Sequence, residues 1–147
     1  MNINDLCNAG WNGSTLNFFK SGGGCSNTGE IAAVFLHEWG HGMAALRAKS
    51  EALTAYFDTL VREQVGDVLA ITTPRETARR GCQLSLRVKG PREAGRSLFD
   101  HLHGRGIVVD WREPDVIRAA PTPLYNRRID CLRFVLAVRE WAATQHG

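Results

Sequence analysis

The stretch that most limits the fold is Gly106 to Asn126, GIVVDWREPDVIRAAPTPLYN, where two short apolar runs flank a turn and two prolines lead to a helix start. Gly106 to Trp111 is rich in β-branched residues and runs into Arg112-Glu113-Pro114-Asp115, a pattern that predicts strand, turn, strand, with Val116 to Ala119 as the second strand. On that alternation Arg118 points to the opposite face from Ile117 and Ala119. Pro121 and Pro123 cannot donate ladder hydrogen bonds, so the chain leaves the sheet there, and Asn126 is placed to cap a final helix. The Arg118 guanidinium is therefore expected at a strand end between two stiff flanks. A fork held in this way suits a carboxylate or phosphate. An ordinary surface ion pair is the competing reading of the spacing alone, with Asp110, Glu113 and Asp115 as the nearby acids.

The same pattern-reading orders the chain from residue 43. Met43 to Gln64 carries a helical stripe of Leu46, Leu53, Phe57, Leu60 and Val61, closed by Gly66. Val68 to Ile71 reads as a short strand, and Cys82 to Val88 alternates strictly, with Cys82, Leu84, Leu86 and Val88 inward. Glu93 to His103 reads as a helix with Leu98, Phe99 and Leu102 on one side, and Arg127 to Thr144 as a last helix with a wide apolar face. The order α-β-β-α-β-β-α predicts an α/β sandwich in which helices cover a small sheet.

Residues 1–42 differ in kind. They hold six of the seven asparagines and eight of the fifteen glycines, and a net charge of −2 against +3 for the whole chain, which marks a boundary near Gly42 to Ala44. Two units are expected: 1–42, an Asn/Gly-rich segment, and 43–147, an α/β domain. Residues 1–29 read as loop, followed by a short helix from Thr28 or Gly29 with Thr28 as N-cap. With 44% hydrophobic and 22% charged residues the chain has the composition of a globular protein, and its best apolar run, Ile31 to Leu36, is too short to span a bilayer. The N-terminus has neither the basic nor the apolar region of a signal peptide, so a cytoplasmic address without membrane attachment is expected. Cys7, Cys25, Cys82 and Cys131 lack zinc-knuckle spacing and are expected as free thiols. Arg79-Arg80 and Arg127-Arg128 have no interleaved aromatics, so no nucleic-acid partner is expected.

Gly106 to Asn126 resembles the closing segment of kynureninases, in which an Arg-Glu-Pro or Arg-Asn-Pro turn precedes Ile-Arg-x-Ala-Pro-x-Pro-Leu-Tyr-Asn. Ala45-Leu46-Arg47-Ala48-Lys49-Ser50, Ile71-Thr72-Thr73-Pro74-Arg75 and Arg80-Gly81-Cys82-Gln83-Leu84-Ser85 fall in the same family order. The resemblance implies the C-terminal small domain of a fold-type I enzyme dependent on pyridoxal phosphate, homodimeric, which cleaves L-kynurenine to anthranilate and L-alanine in tryptophan catabolism. It also implies that Arg118 binds the α-carboxylate of the amino-acid substrate. None of Lys20, Lys49 and Lys89 sits in a motif like that of the family's cofactor lysine, so a chain of this kind is expected to bind no pyridoxal phosphate and to be inactive alone.

A second likeness lies upstream. His37-Glu38-Trp39-Gly40-His41-Gly42-Met43 resembles bacterial zinc peptidases that carry His-Glu-Trp-Gly-His-Gly-Met. Two histidines four apart share a helical face and can hold one zinc ion, with the glutamate as base on a metal-bound water. Under this alternative His37 and His41 are ligands and Glu38 is catalytic. The third ligand of the HExxHxxGxxH pattern is missing, because Ala44 and Arg47 stand at the glycine and histidine positions. A third alternative is a non-catalytic interaction module.

Overall fold

The computed structural model describes residues 8–18 and 32–145. The chain divides into two compact units, Met1–Ala48 and Lys49–Gly147. Thr28, expected as the N-cap of the first helix, lies outside the described residues.

In the first unit, part of the segment read as loop is a hairpin. Strands β1 (Ala9–Trp11) and β2 (Leu16–Phe18) pair antiparallel with Trp11 opposite Leu16. The turn is built by Asn12, whose Oδ1 accepts the N–H groups of Ser14 at 3.0 Å and Thr15 at 2.8 Å, and by Gly13 at φ 95°. An asparagine that closes its own turn, followed by a residue free to adopt positive φ, is a local signal that the search for long periodicity passes over. Helix α1 begins in this unit, and the Phe35 ring stacks between Phe18 at 5.8 Å and Trp39 at 6.4 Å.

One correction concerns α1. The short helix expected to end near Gly42 and the helix expected from Met43 are one continuous helix, Ala32–Val65, of 34 residues. Glycine inside a helix costs only about 1 kcal/mol relative to alanine, too little at Gly40 and Gly42 to break a helix that neighbouring contacts support. Gly42 is buried and the Trp11 ring lies against it, 3.5 Å from where a Cβ would stand.

The second unit has the predicted α/β architecture. Its four strands, β3 (Leu69–Ile71), β4 (Leu84–Val88), β5 (Asp110–Arg112) and β6 (Val116–Ala119), form an antiparallel sheet in the order β3-β4-β6-β5. Leu69, Leu84, Leu86, Val88, Ile117 and Ala119 point to one face and are buried there. Against them pack Leu53, Phe57, Val61 and Val65 of α1, Leu98 and Leu102 of α2 (Arg92–Gly104), and Phe134, Val135 and Val138 of α3 (Arg128–Gln145). The spacing of four along α1 is what places its apolar side chains on one stripe. Phe57 and Phe134 meet edge to face at 5.1 Å, and Trp141 Nε1 donates to Ser97 Oγ at 3.0 Å, joining α3 to α2. Beside this stripe the buried Asp58 accepts from Arg62 Nε at 2.9 Å and Nη2 at 3.2 Å, and that bond raises the Arg62 pKa.

Two local expectations are corrected. The strand expected from Gly106 pairs only from Asp110. β6 ends at Ala119, where the chain turns into the exit set by Pro121 and Pro123, so the residues before Asp110 lose their ladder partners. Asn126 does not cap α3: its Oδ1 accepts the Thr122 N–H at 2.8 Å and its own N–H donates to the Thr122 carbonyl at 2.9 Å, which closes the proline-rich exit on itself. The helix start is held by Asp130, whose carboxylate accepts the Arg127 N–H at 2.9 Å and is held below the usual carboxylate range by that bond.

Candidate functional site

With all three helices contributing to the core on one side, the other face of the sheet carries the polar alternates. The register sets Ser85 of β4, Arg118 of β6 and Asp110 of β5 in one row, and Arg87, Val116 and Arg112 in the next. Arg118 therefore stands on the open face while Ile117 and Ala119 on either side are buried, as the alternation requires.

Of the three acids near Arg118, the structure pairs it with Asp110. Arg118 Nε donates to Asp110 Oδ2 at 2.7 Å, and Nη2 donates to the same oxygen. Arg112 Nη2 lies 3.1 Å from that oxygen too. The Arg118 hydrogen bond, seconded by the charges of both arginines, holds the Asp110 carboxyl below its ordinary range. The Arg118 side chain keeps 33% of its surface exposed, so it is neither a core residue nor a free one. The role of Arg112 was not read from the sequence, although its place two residues from Asp110 on one strand put both on the same face.

A groove of about 650 Å³ opens on the other side of β6, floored by Phe57, Ala119 and Phe134 and walled by Ile107, Val109 and Tyr125. Arg118 does not line it.

The other candidates lie in the first unit. His37 and His41 are exposed, one helical turn apart, with their Nε2 atoms 3.1 Å from each other. Glu38 is 9% exposed, so the helix turns the carboxylate inward and the imidazoles outward. Among the described residues no group of three His, Cys, Asp or Glu side chains is placed to hold a metal ion.

A pyridoxal phosphate enzyme needs a lysine free to form the Schiff base. Lys49 Nζ donates to the Pro123 carbonyl and Lys89 Nζ to the Gly66 carbonyl at 2.7 Å, so both described lysines are tied to backbone oxygens. Lys20 lies outside the described residues.

Residues 46–138 match the family model described as the kynureninase C-terminal domain, a span running from the middle of α1 through the open-face row to α3. The chain belongs to that family. Curated relatives agree: a kynureninase of Xanthomonas oryzae pv. oryzae (strain PXO99A) is 64% identical over 102 residues, 69% of this chain and 24% of the relative. One of Stenotrophomonas maltophilia (strain K279a) is 61% identical over 101 residues, with the same coverage of each chain. One of Xanthomonas campestris pv. campestris (strain B100) is 57% identical over 102 residues. The chain thus spans about a quarter of the length of the kynureninases it matches. Arg118, Asp110 and Arg112 all lie inside the family span, whereas His37, Glu38 and His41 precede it. Among the described residues no helix is long and apolar enough to cross a membrane.

Proposed function

We propose that this chain is the C-terminal part of a kynureninase-like hydrolase of tryptophan catabolism, in which Arg118 binds the α-carboxylate of an amino-acid substrate. What supports the reading is one observation: the kynureninase C-terminal domain family carries here an arginine fork on the open face of a buried sheet, fixed at one edge by Asp110. A guanidinium so fixed can add two parallel hydrogen bonds to a carboxylate without first being ordered. The reaction would be cleavage of L-kynurenine to anthranilate and L-alanine in a cytoplasmic homodimer. Pyridoxal phosphate and the chemistry it supplies would be held by the remainder of such an enzyme, a reading supported by the engagement of Lys49 and Lys89 with backbone carbonyls. The chain alone is then a substrate-binding fragment without activity. Co-expression with the preceding three-quarters of the 64% identical relative tests this by anthranilate fluorescence. Turnover is expected with both pieces and none with this chain alone. Turnover by the chain alone, or an inactive but stable complex of the two, would count against the reading.

The second reading is a zinc-peptidase fragment, favoured by the 3.1 Å separation of the His37 and His41 Nε2 atoms. Two imidazoles of a tetrahedral site with Zn–N near 2.0–2.1 Å stand about 3.3 Å apart. With two ligands the affinity is expected to be weak and peptide hydrolysis absent. Zinc-dependent casein cleavage abolished by Glu38→Ala would overturn that expectation.

A further inference from the structure

Asp110 spans the side edge of Arg118, the one formed by Nε and Nη2, through a single oxygen. Among the described residues Nη1 has no hydrogen-bond partner, and the second hydrogen of Nη2 is not used by Asp110 either. An incoming carboxylate therefore meets the end edge of the guanidinium, Nη1 with Nη2, while the side edge stays on the protein. Electrostatics complicates that arrangement. One aspartate on one arginine is a neutral pair, and a neutral pair is a poor receiver of an anion. Arg112 changes the sum, because its Nη2 lies 3.1 Å from the same Asp110 oxygen. Two guanidinium groups then share one carboxylate, and the trio of Arg118, Asp110 and Arg112 keeps a net positive charge, to which Arg87 on the same face adds, so a carboxylate is attracted.

We propose that Asp110 and Arg112 are positioning residues for this site: Asp110 fixes the orientation of the Arg118 fork, and Arg112 restores the positive charge that Asp110 removes, so that the end edge takes the carboxylate of an amino acid. The proposal rests on the reading of Arg118 as the carboxylate binder. The strands supply the rigidity. Asp110 faces Arg118 directly in the ladder, and Arg112 faces Val116 in the next pair, so the three charges are set by backbone register rather than by long flexible reach. An alternative use of the same geometry is a mask, in which Asp110 competes with the ligand and must be displaced. The two uses predict opposite effects of removing the Asp110 charge.

The test is a titration of the ¹⁵N-labelled 147-residue chain with acetate and with L-alanine at constant ionic strength, followed on the Arg118 Nε–Hε resonance and its backbone neighbours. Arg118→Lys assigns the resonance, and acetamide serves as the uncharged control. The wild-type chain is expected to show a saturable shift with carboxylates only. Arg112→Gln should weaken binding about two- to fivefold, the range that one partly exposed charge commands, while Arg112→Lys should restore most of it. Asp110→Asn should also weaken binding, although it makes the face more positive, because the fork loses its hold. Equal or tighter binding by Asp110→Asn, or no change in Arg112→Gln, overturns the proposal and leaves the Arg118 reading standing. No saturable shift in the wild-type chain, or full binding by Arg118→Lys and Arg118→Gln alike, overturns the Arg118 reading itself.

Discussion

The Trp111 indole occupies the space that Gly95 leaves by having no side chain: a Cβ at position 95 would stand 2.6 Å from the ring and 3.1 Å from the Asp115 Cα. This contact seats α2 on the β5–β6 turn, and Trp111 is the residue between Asp110 and Arg112. Replacing Gly95 by alanine should destabilise the fold by about 1–3 kcal/mol, as overpacking does, even though alanine is favoured by about 1 kcal/mol in a helix. A urea melt of Gly95→Ala measures it. A midpoint at or above that of the wild type would mean that the ring yields freely.

Acid should loosen the open-face row before it melts the core. The Asp110 carboxyl titrates below its ordinary value of 3.8, chiefly through the Arg118 hydrogen bond. A depressed folded-state pKa contributes stability that is present above the unfolded-state value and is lost as pH falls through the folded one. The acid limb of a pH–stability profile is therefore expected to be shallower in Asp110→Asn than in the wild type. Superimposable profiles would show that the pair carries no linkage.

Cys131 should be the slow thiol of the second unit. It is 3% exposed, and burial, with the nearby Asp130 charge, pushes its pKa up to about 11. Since the thiolate is the reacting form, alkylation near neutral pH followed by peptide mass spectrometry should find Cys82, which is half-buried, modified well before Cys131. Equal rates would reveal opening of the α3 packing on the timescale of labelling.

Most of the second unit was legible because its elements carry their own period. Cys82 to Val88 alternates, α1 repeats every four residues from Leu53, and Ile117 and Ala119 bracket Arg118, so strand face, helix stripe and the outward arginine all follow from side-chain spacing. What escaped depends on neighbours in space. The choice of Asp110 over Glu113 and Asp115 is decided by ladder register, and the length of β5 by where β6 ends and the proline-rich exit begins. The continuity of α1 through Gly40 and Gly42 rests on packing that compensates two poor helix formers, a sum that a propensity scale cannot hold. The partner of Arg118 was thus narrowed by sequence and chosen by pairing, and Arg112 became visible only with the pair in place.

The measurement that tests the Arg118 assignment most directly is the kinetics of Arg118→Ala in the complemented enzyme, read beside the stability of the variant chain. Truncating one partner of a hydrogen-bonded charge pair costs about 2–5 kcal/mol of binding, so kcat/KM for L-kynurenine should fall at least about thirtyfold, chiefly through KM. The denaturation free energy of the chain should change by less than about 1 kcal/mol, the scale of substitutions outside the core. Unchanged kcat/KM in a folded variant, or unfolding of the chain on losing Arg118, would contradict the assignment.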